Sequence, residues 1–169
     1  MNQYKPKIHF ILPGGGLRGA FQAGFMFNLF NLYDDHFEIA RIDGTSVGAL
    51  NGFAIINKKY ENLKNIWTNI NDINDLFGNW SDNFIIGTIS SCIQGFYNNG
   101  IFSHNKLKEK IINNSKDSWD NFDTDYKNLY SCPVVNLTNA SVEYIYGSNE
   151  NIVDYVTASA SPWIISNPV

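Results

Sequence analysis

The sequence predicts an α/β protein with three layers, α/β/α, and a mostly parallel central sheet. A run of β-forming residues at Lys7–Leu12 is followed by an amphipathic stretch over 17–33 and a second strand over 37–43. Together they occupy about 35 residues, the size of one βαβ unit with parallel strands. Each strand also leads directly into a glycine-bearing turn and a helix. Both turns should therefore lie side by side at the carboxyl edge of the sheet, where such folds place their sites.

The turn after the second strand has the pattern Gly-x-Ser-x-Gly, with Ser46 at its centre and Gly44 and Gly48 on either side. A turn of this kind holds one serine in a strained backbone conformation at the end of a strand. Side chains at 44 and 48 would clash with the turn or with the helix packed behind it. Ser46 would then present its hydroxyl at a helix N-terminus, which favours developing negative charge. Taken alone, the pattern also fits a plain serine–glycine turn that opens a helix.

The turn after the first strand reads Gly-Gly-Gly-Leu-Arg-Gly over residues 14–19. Glycines between a strand and a helix make a loop whose backbone N–H groups can point at an anion. Gly19 and Gly24 lack side chains, so we expect the helix over 17–33 to pack close to its neighbour. Four of its large apolar residues lie near helical spacing on one face: Phe21, Phe25, Leu29 and Leu32.

The rest of the chain is predicted more coarsely. The helix after Ser46 should break near Asn57 and Lys58, and a further helix should span 60–70. Residues 71–97 show little clear period, and we interpret them as helical packing rather than as a lid over the site. The remaining predicted elements are a helix over 103–113, strands over 133–137 and 142–146, and a helix over 152–161.

Composition narrows the classes of function. The chain has 169 residues, enough for one domain with a real core, and its 44% hydrophobic content indicates a globular protein. A net charge of -4 gives no electrostatic reason to expect nucleic acid or a polybasic membrane contact, so any lipid contact would rest on apolar side chains. No apolar stretch is long enough to span a bilayer, and no His/Asp/Glu cluster is spaced to hold a metal.

The cellular location is inferred from the N-terminus and the cysteines. The first residues lack the apolar core of a signal peptide. Cys92 and Cys132 form no metal-type cluster, and we interpret both as buried thiols in a reducing compartment. We therefore expect a cytoplasmic protein, or one exported without a signal peptide.

Three blocks of the sequence resemble the patatin-like phospholipases. The glycine loop at 14–19 is similar to that family's oxyanion loop, and Asp-Gly-Thr-Ser-Val-Gly-Ala-Leu-Asn at 43–51 is similar to its nucleophile turn. More loosely, Val-Thr-Ala-Ser-Ala-Ser-Pro at 156–162, with Asn-Pro-Val at 167–169, resembles the segment before its catalytic aspartate. Pro13 departs from the small polar residue expected there. The resemblance predicts a patatin-like fold.

The resemblance implies a lipid acyl hydrolase of phospholipase A or esterase type that needs no cofactor. Ser46 would be the nucleophile. The oxyanion hole would comprise Gly14, Gly15 and Gly16, with Arg18 nearby to favour negative charge. The implied partners are a lipid or phospholipid substrate and a transient contact with a membrane surface.

The resemblance also implies a Ser-Asp dyad, with the aspartate in an Asp-Gly-Gly or Asp-Gly-Ala turn. No such turn occurs in this sequence, because Asp43-Gly44 belongs to the nucleophile turn itself. Asp154 is interpreted as a residue favoured by a helix dipole. We therefore expect residues 1–169 to be a single patatin-like domain that is incomplete at its C-terminus and inactive or poorly active alone.

Alternative functions remain open at this point. A catalytically inactive relative could bind lipid or a protein partner through the same pocket. A dinucleotide-binding unit would explain Gly-x-Gly-x-x-Gly over 14–19 and Asp43, but not the turn around Ser46. A conventional Ser-His-Asp hydrolase needs a histidine after the serine, and only His104 follows Ser46. His9 is interpreted as an ordinary strand residue.

Overall fold

The computed structural model describes residues 4–69, 108–109 and 119–161, and contains a four-stranded sheet with strands in chain order. Strands β1 (Lys7–Leu12), β2 (Glu38–Gly44) and β3 (Tyr130–Asn136) are parallel, and β4 (Ser141–Tyr146) is antiparallel to β3. The helices in these ranges are α1 (Gly19–Tyr33), α2 (Val47–Ile56), α3 (Tyr60–Thr68), α4 (Thr124–Lys127) and α5 (Ile152–Ser159), with 3-10 turns at Gly16–Arg18 and Asp34–His36. The predicted α/β class and mostly parallel sheet are confirmed.

The first βαβ unit places the two glycine-bearing turns together. β1 and β2 are in parallel register, and their last residues, Leu12 and Gly44, are paired. The strands therefore end at the same level on the carboxyl edge of the sheet. The 14–19 loop leaves one strand end and the Ser46 turn leaves the other, as the sequence predicts.

The hydrophobic core lies on one face of the sheet. Phe10 of β1 packs against Phe30 of α1, with ring centroids 5.5 Å apart, and Tyr130 of β3 packs against Phe53 of α2 at 5.5 Å. Helix α2 is buried on almost every side because it lies against the sheet with α1, α3 and α5 around it. The core thus fixes the position of the helix that begins directly after Ser46.

The opposite face of the sheet is largely uncovered. Ile11 of β1 is 73% exposed, and Val135, Val142 and Tyr144 of β3 and β4 are exposed on the same face. In the part of the chain that the structure describes, the helices form a single layer against the sheet. The second helical layer of the predicted α/β/α arrangement has no counterpart among these residues.

The face of α1 that packs against the core is not the one predicted from the spacing of its large apolar residues. The buried residues are Gly19, Ala23, Met26 and Phe30, whereas Phe21 is 84% exposed. Phe25 and Leu32 are also exposed, and Leu29 is partly buried. The physical reason is that α1 carries no charged side chain, so hydrophobic spacing alone cannot select its inner face. The small residues Gly19 and Ala23 favour close packing, and they select the face that is buried.

The two glycines of α1 also behave differently. A Cβ at Gly19 would lie 2.1 Å from Val47 Cγ2, so the predicted close approach is confirmed there. A Cβ at Gly24 would meet nothing within 4 Å, so the predicted close packing at this position is wrong. Gly24 lies on the exposed side of the helix.

The other predicted elements are present where the structure describes them, with some bounds shifted. The strand predicted over 133–137 begins three residues earlier, at Tyr130, and the helix predicted over 152–161 ends at Ser159. The break after α2 falls at Asn57, followed by Lys58 at φ 56°, and α3 and α5 begin where predicted. Cys132 is buried, and burial raises the pKa of its thiol to about 11. None of the helices in the described ranges combines the length and hydrophobicity that a membrane span requires.

Some predictions fall outside the described residues. These are the 71–97 segment, the 103–113 helix apart from residues 108–109, Cys92 and His104.

The close contact between β1 and α2 gives a test of this packing. A Cβ at Gly48 would lie 2.1 Å from the Leu12 carbonyl oxygen and 2.9 Å from that of Pro13. Because both neighbours are backbone atoms, we expect Gly48→Ala to lower the free energy of unfolding by about 1–3 kcal/mol, measured by urea denaturation.

The matched control is Gly24→Ala. It places the same methyl group on an open helical site and should raise the free energy of unfolding by about 0.5–1 kcal/mol. Equal, small effects of the two substitutions would contradict the contact between Gly48 and β1.

Candidate functional site

Ser46 occupies a strained turn between β2 and α2. Its backbone has φ 55° and ψ -125°, a conformation that costs a non-glycine residue about 1–3 kcal/mol. The Ser46 carbonyl accepts from the N–H groups of Ala49 and Leu50, and its own N–H donates to Ser159 Oγ at 3.2 Å. Ser46 is partly exposed, so its side chain lies at an accessible point on the carboxyl edge of the sheet.

The two glycines of this turn leave no room for a side chain. A Cβ at Gly44 would lie 2.3 Å from the carbonyl oxygen of Gly48. Gly48 in turn lies against the end of β1, where a Cβ would contact the Leu12 carbonyl. The turn can therefore be this tight only with glycine at both positions, in agreement with the reason that the sequence analysis gives for them.

The glycine loop lies directly against Ser46. A Cβ at Gly14 would lie 3.1 Å from Ser46 Cβ and 3.8 Å from Ser46 Oγ. The N–H of Thr45 donates to the Leu12 carbonyl at 3.0 Å and ties the two turns together. Gly16 has φ +55°, a left-handed conformation that favours glycine. The two turns that the sequence places at one sheet edge are therefore in contact.

The loop presents backbone donors that are not otherwise used. In the described ranges, the N–H groups of Gly14, Gly15 and Gly16 have no hydrogen-bond acceptor, whereas the N–H of Arg18 donates to the Gly15 carbonyl at 3.2 Å. These residues are exposed, and the Arg18 side chain forms no ion pair with a described carboxylate. Backbone N–H groups without an acceptor suit an anion or a developing oxyanion.

The hydroxyl of Ser46 has no base beside it in the part of the chain that the structure describes. Ser46 Oγ makes no hydrogen bond there to a carboxylate or an imidazole. Asp154, in the first turn of α5, is paired with Lys108 instead. The described site thus contains a serine and backbone donors but no group placed to accept the serine proton.

An open cleft of 1020 Å³ begins beside the turn. Thr45 and Ser159 line it next to Ser46, and the remaining wall comes from β3, β4 and α5. The lining mixes apolar side chains such as Pro133 and Val142 with the charged pair of Lys108 and Asp154. The cleft offers space for a molecule larger than a simple ester next to the serine.

Asp43 lies in a polar cluster built from all four strands. Its carboxylate accepts from Arg41 Nε at 2.7 Å and from Ser131 Oγ at 2.5 Å, and His9 Nε2 lies 2.6 Å from Oδ2. The guanidinium of Arg41 lies 5.1 Å from the ring centroid of Tyr146. Because three side chains already engage this carboxylate, it has little capacity to bind a ribose, which disfavours the dinucleotide-binding alternative.

The hydrogen bonds of this cluster set the ionisation of Asp43. Partial burial raises the pKa of Asp43, but the hydrogen bonds from Ser131, Arg41 and His9 together lower it by more. The net pKa therefore lies below the ordinary value of an aspartate. Asp43 is a charged residue of the sheet, and its partners His9 and Ser131 lie 34 and 88 positions away along the chain, too far for a local pattern to predict them.

Sequence reasoning missed one residue that touches the nucleophile turn. Ser159, at the end of α5, accepts the hydrogen bond from the Ser46 N–H. Its position in the 156–162 block, which resembles the family only loosely, was the one feature of the sequence that could have indicated this role. Among the described residues, no group of three or more His, Cys, Asp or Glu side chains is arranged to hold a metal ion.

Comparison with known proteins identifies the family. The fold is an α/β sheet with a serine turn and a glycine loop at its carboxyl edge. The family model of patatin-like phospholipases matches residues 10–168, and the chain therefore belongs to the patatin-like phospholipase family, a family of lipid acyl hydrolases. Neither the curated proteins nor the solved structures include a match to this chain.

The Asp43 cluster predicts a pH dependence of stability. A carboxylate with a lowered folded-state pKa stabilises the protein above its unfolded pKa of about 3.9, and this contribution is lost as the pH falls through the folded value. We expect Asp43→Asn to lower the free energy of unfolding by about 1–3 kcal/mol at pH 7. Urea denaturation should show this deficit shrinking only below about pH 4.

The control for this prediction is Asp120→Asn, at an exposed aspartate. It should change stability little at any pH. A deficit of Asp43→Asn that stays constant from pH 7 to pH 3 would contradict the assignment of a charged Asp43.

Proposed function

We propose that this chain carries the nucleophile and the oxyanion donors of a lipid acyl hydrolase of phospholipase A or esterase type. The observation that supports the proposal most is the close approach of Gly14 to Ser46 in its strained turn, in a loop whose backbone N–H groups at 14–16 have no acceptor among the described residues. Family membership supports lipid as the substrate class.

In the proposed reaction, Ser46 Oγ attacks the carbonyl carbon of an acyl ester as its proton passes to a base. The N–H groups of Gly15 and Gly16, with Gly14 beside them, stabilise the oxyanion of the tetrahedral intermediate, and Arg18 adds a favourable positive charge. The alcohol leaves with a proton, and water then hydrolyses the acyl-enzyme. Removal of one oxyanion donor typically slows such a reaction by about 10²–10³-fold.

The base is not among the described residues, and the sequence contains no Asp-Gly-Gly or Asp-Gly-Ala turn. By resemblance to the family, the base would be an aspartate. General-base catalysis typically contributes about 10²–10⁴-fold. The 169-residue chain alone should therefore hydrolyse esters poorly or not at all, while Ser46 keeps a residual reactivity.

Three features support a lipid as the substrate. The cleft beside Thr45 and Ser159 is large enough for part of a lipid molecule. The exposed, uncharged face of α1, with Phe21 and Phe25, begins close to the glycine loop and suits a transient contact with a membrane surface. The net charge of -4 favours apolar contact with lipid over binding to nucleic acid.

A second candidate function is a catalytically inactive patatin-like module that binds lipid or a protein partner through the same cleft. The absence of a base beside Ser46 in the described residues favours it. The two candidate functions differ in the reactivity of Ser46, which can be measured, because an inactive module does not need a reactive serine.

We expect a fluorophosphonate probe to label the chain at one residue, Ser46, because the strained turn and the free N–H groups favour attack and stabilise the phosphonyl oxygen. Intact-protein mass spectrometry should show one adduct, and peptide mapping should place it at position 46. Ser46→Ala should abolish the labelling. Turnover of a p-nitrophenyl ester should stay close to the rate without enzyme.

The matched control is Ser141→Ala, which removes a partly exposed serine at the start of β4 and should leave labelling unchanged. Adduct formation at other serines, or none at Ser46, would favour the inactive module. Rapid ester turnover that is lost in Ser46→Ala would show that the isolated chain already contains its base.

A further inference from the structure

A buried amide joins the nucleophile helix to the glycine loop. Asn51, in the second turn of α2, is 1% exposed. Its Nδ2 donates to the Gly19 carbonyl at 3.0 Å and to Gln22 Oε1 at 2.8 Å, and its Oδ1 accepts from Trp67 Nε1 at 2.9 Å. Both N–H donors of the amide are therefore used, and both are directed at α1.

These hydrogen bonds reach both ends of the loop. Gly19 is the first residue of α1 and directly follows Arg18, so the bond to its carbonyl holds the end of the loop. Gln22 Nε2 donates in turn to the Pro13 carbonyl at 3.3 Å, directly before Gly14. One buried side chain thus holds the last residue of the loop directly, and the residue before the loop through Gln22.

The packing around Asn51 leaves the loop little freedom to shift. Val47 and Asn51 are four residues apart, on the same face of α2. Gly19 lies between Val47 and Trp67, where a Cβ would approach Val47 Cγ2 to 2.1 Å and Trp67 Cζ2 to 2.9 Å. Helix α2, which begins immediately after Ser46, therefore determines where α1 and its preceding loop lie.

We propose that Asn51 is a positioning residue that fixes the N–H groups of Gly14, Gly15 and Gly16 relative to Ser46. The inference rests on the proposed function for the role of those N–H groups, although the hydrogen bonds themselves do not depend on it. Only an amide can make all three hydrogen bonds at position 51. An aspartate would lose both donated bonds, and an aliphatic residue would in addition leave the Trp67 N–H without its acceptor.

The test compares variants of matched chemistry. Asn51→Asp keeps the shape of the side chain and removes both donated bonds. Asn57→Asp makes the same change at the buried asparagine that caps α2, whose Nδ2 donates, among the described residues, only to the Phe53 carbonyl of that helix. Both substitutions place a carboxylate in a buried site, and only the first touches the loop.

A milder pair of variants covers the case in which Asn51→Asp does not fold. Gln22→Glu keeps an acceptor for Asn51 and removes the donated bond to Pro13. Asn28→Asp removes a bond of the same kind, from Asn28 Nδ2 to the Gly24 carbonyl, at an exposed site further along α1. If Asn51→Asp is unfolded, the Gln22→Glu and Asn28→Asp pair decides the question.

The first measurement is ¹⁵N relaxation of the backbone amides of Gly14, Gly15 and Gly16. In the unmodified chain we expect order parameters of about 0.85 for these amides. They should fall below about 0.6 in Asn51→Asp, and Gln22→Glu should lower them by a smaller amount. The controls at 57 and 28 should leave these three amides unchanged. A merely structural loss of stability would not move the loop amides selectively.

The second measurement is the rate of fluorophosphonate labelling at Ser46. We expect it to fall by about 10–100-fold in Asn51→Asp and by about 3-fold in Gln22→Glu, with the controls within about 2-fold, since a missing oxyanion donor costs about 10²–10³-fold and a displaced donor costs less. Ordered loop amides in Asn51→Asp, or equal disorder in the controls, would overturn the proposal. Selective loop disorder in a chain that is never labelled would support the positioning role and overturn the proposed function instead.

Discussion

The site depends on the close approach of the end of β1 to the first turn of α2. Gly48 lies beneath the carbonyl groups of Leu12 and Pro13, at a distance that no other residue allows. Because of this contact, the loop that leaves β1 passes over the N-terminus of α2 rather than beside it. The contact of Gly14 with Ser46, and the direction of α1 after Gly19, both follow from it.

Two polar clusters on opposite faces of the sheet hold this arrangement. On the covered face, the amide of Asn51 links α2, α1 and α3 by hydrogen bonds inside the core. On the uncovered face, the carboxylate of Asp43 links β1, β2 and β3 three residues before Ser46. A buried polar group such as the Asn51 amide is stabilising only when its partners are all present, so this cluster favours one geometry at the carboxyl edge. The partly exposed Asp43 cluster adds charge-assisted hydrogen bonds that favour the same geometry.

Much of this architecture could be predicted from the sequence, because the spacing of glycines indicates tight turns and runs of β-forming residues indicate strands. The paired ends of β1 and β2 follow from the spacing of two strands around one helix, and the tight turn follows from glycine at 44 and 48. The inner face of α1 could not be predicted, because an uncharged helix gives no polar face to set against an apolar one. The contacts of Asp43 with Ser131 and of Ser159 with Ser46 join residues 88 and 113 positions apart, so no local pattern could predict them.

The central claim is that two glycine-bearing turns, each following a parallel strand, converge on the hydroxyl of Ser46. A crystal structure of the chain after reaction with a small fluorophosphonate tests it most directly, because the phosphonyl oxygen occupies the place of an oxyanion. We expect that oxygen to lie within about 2.7–3.1 Å of the backbone nitrogens of Gly15 and Gly16. A phosphonyl oxygen that points to solvent, with the loop amides turned away from it, would contradict the account.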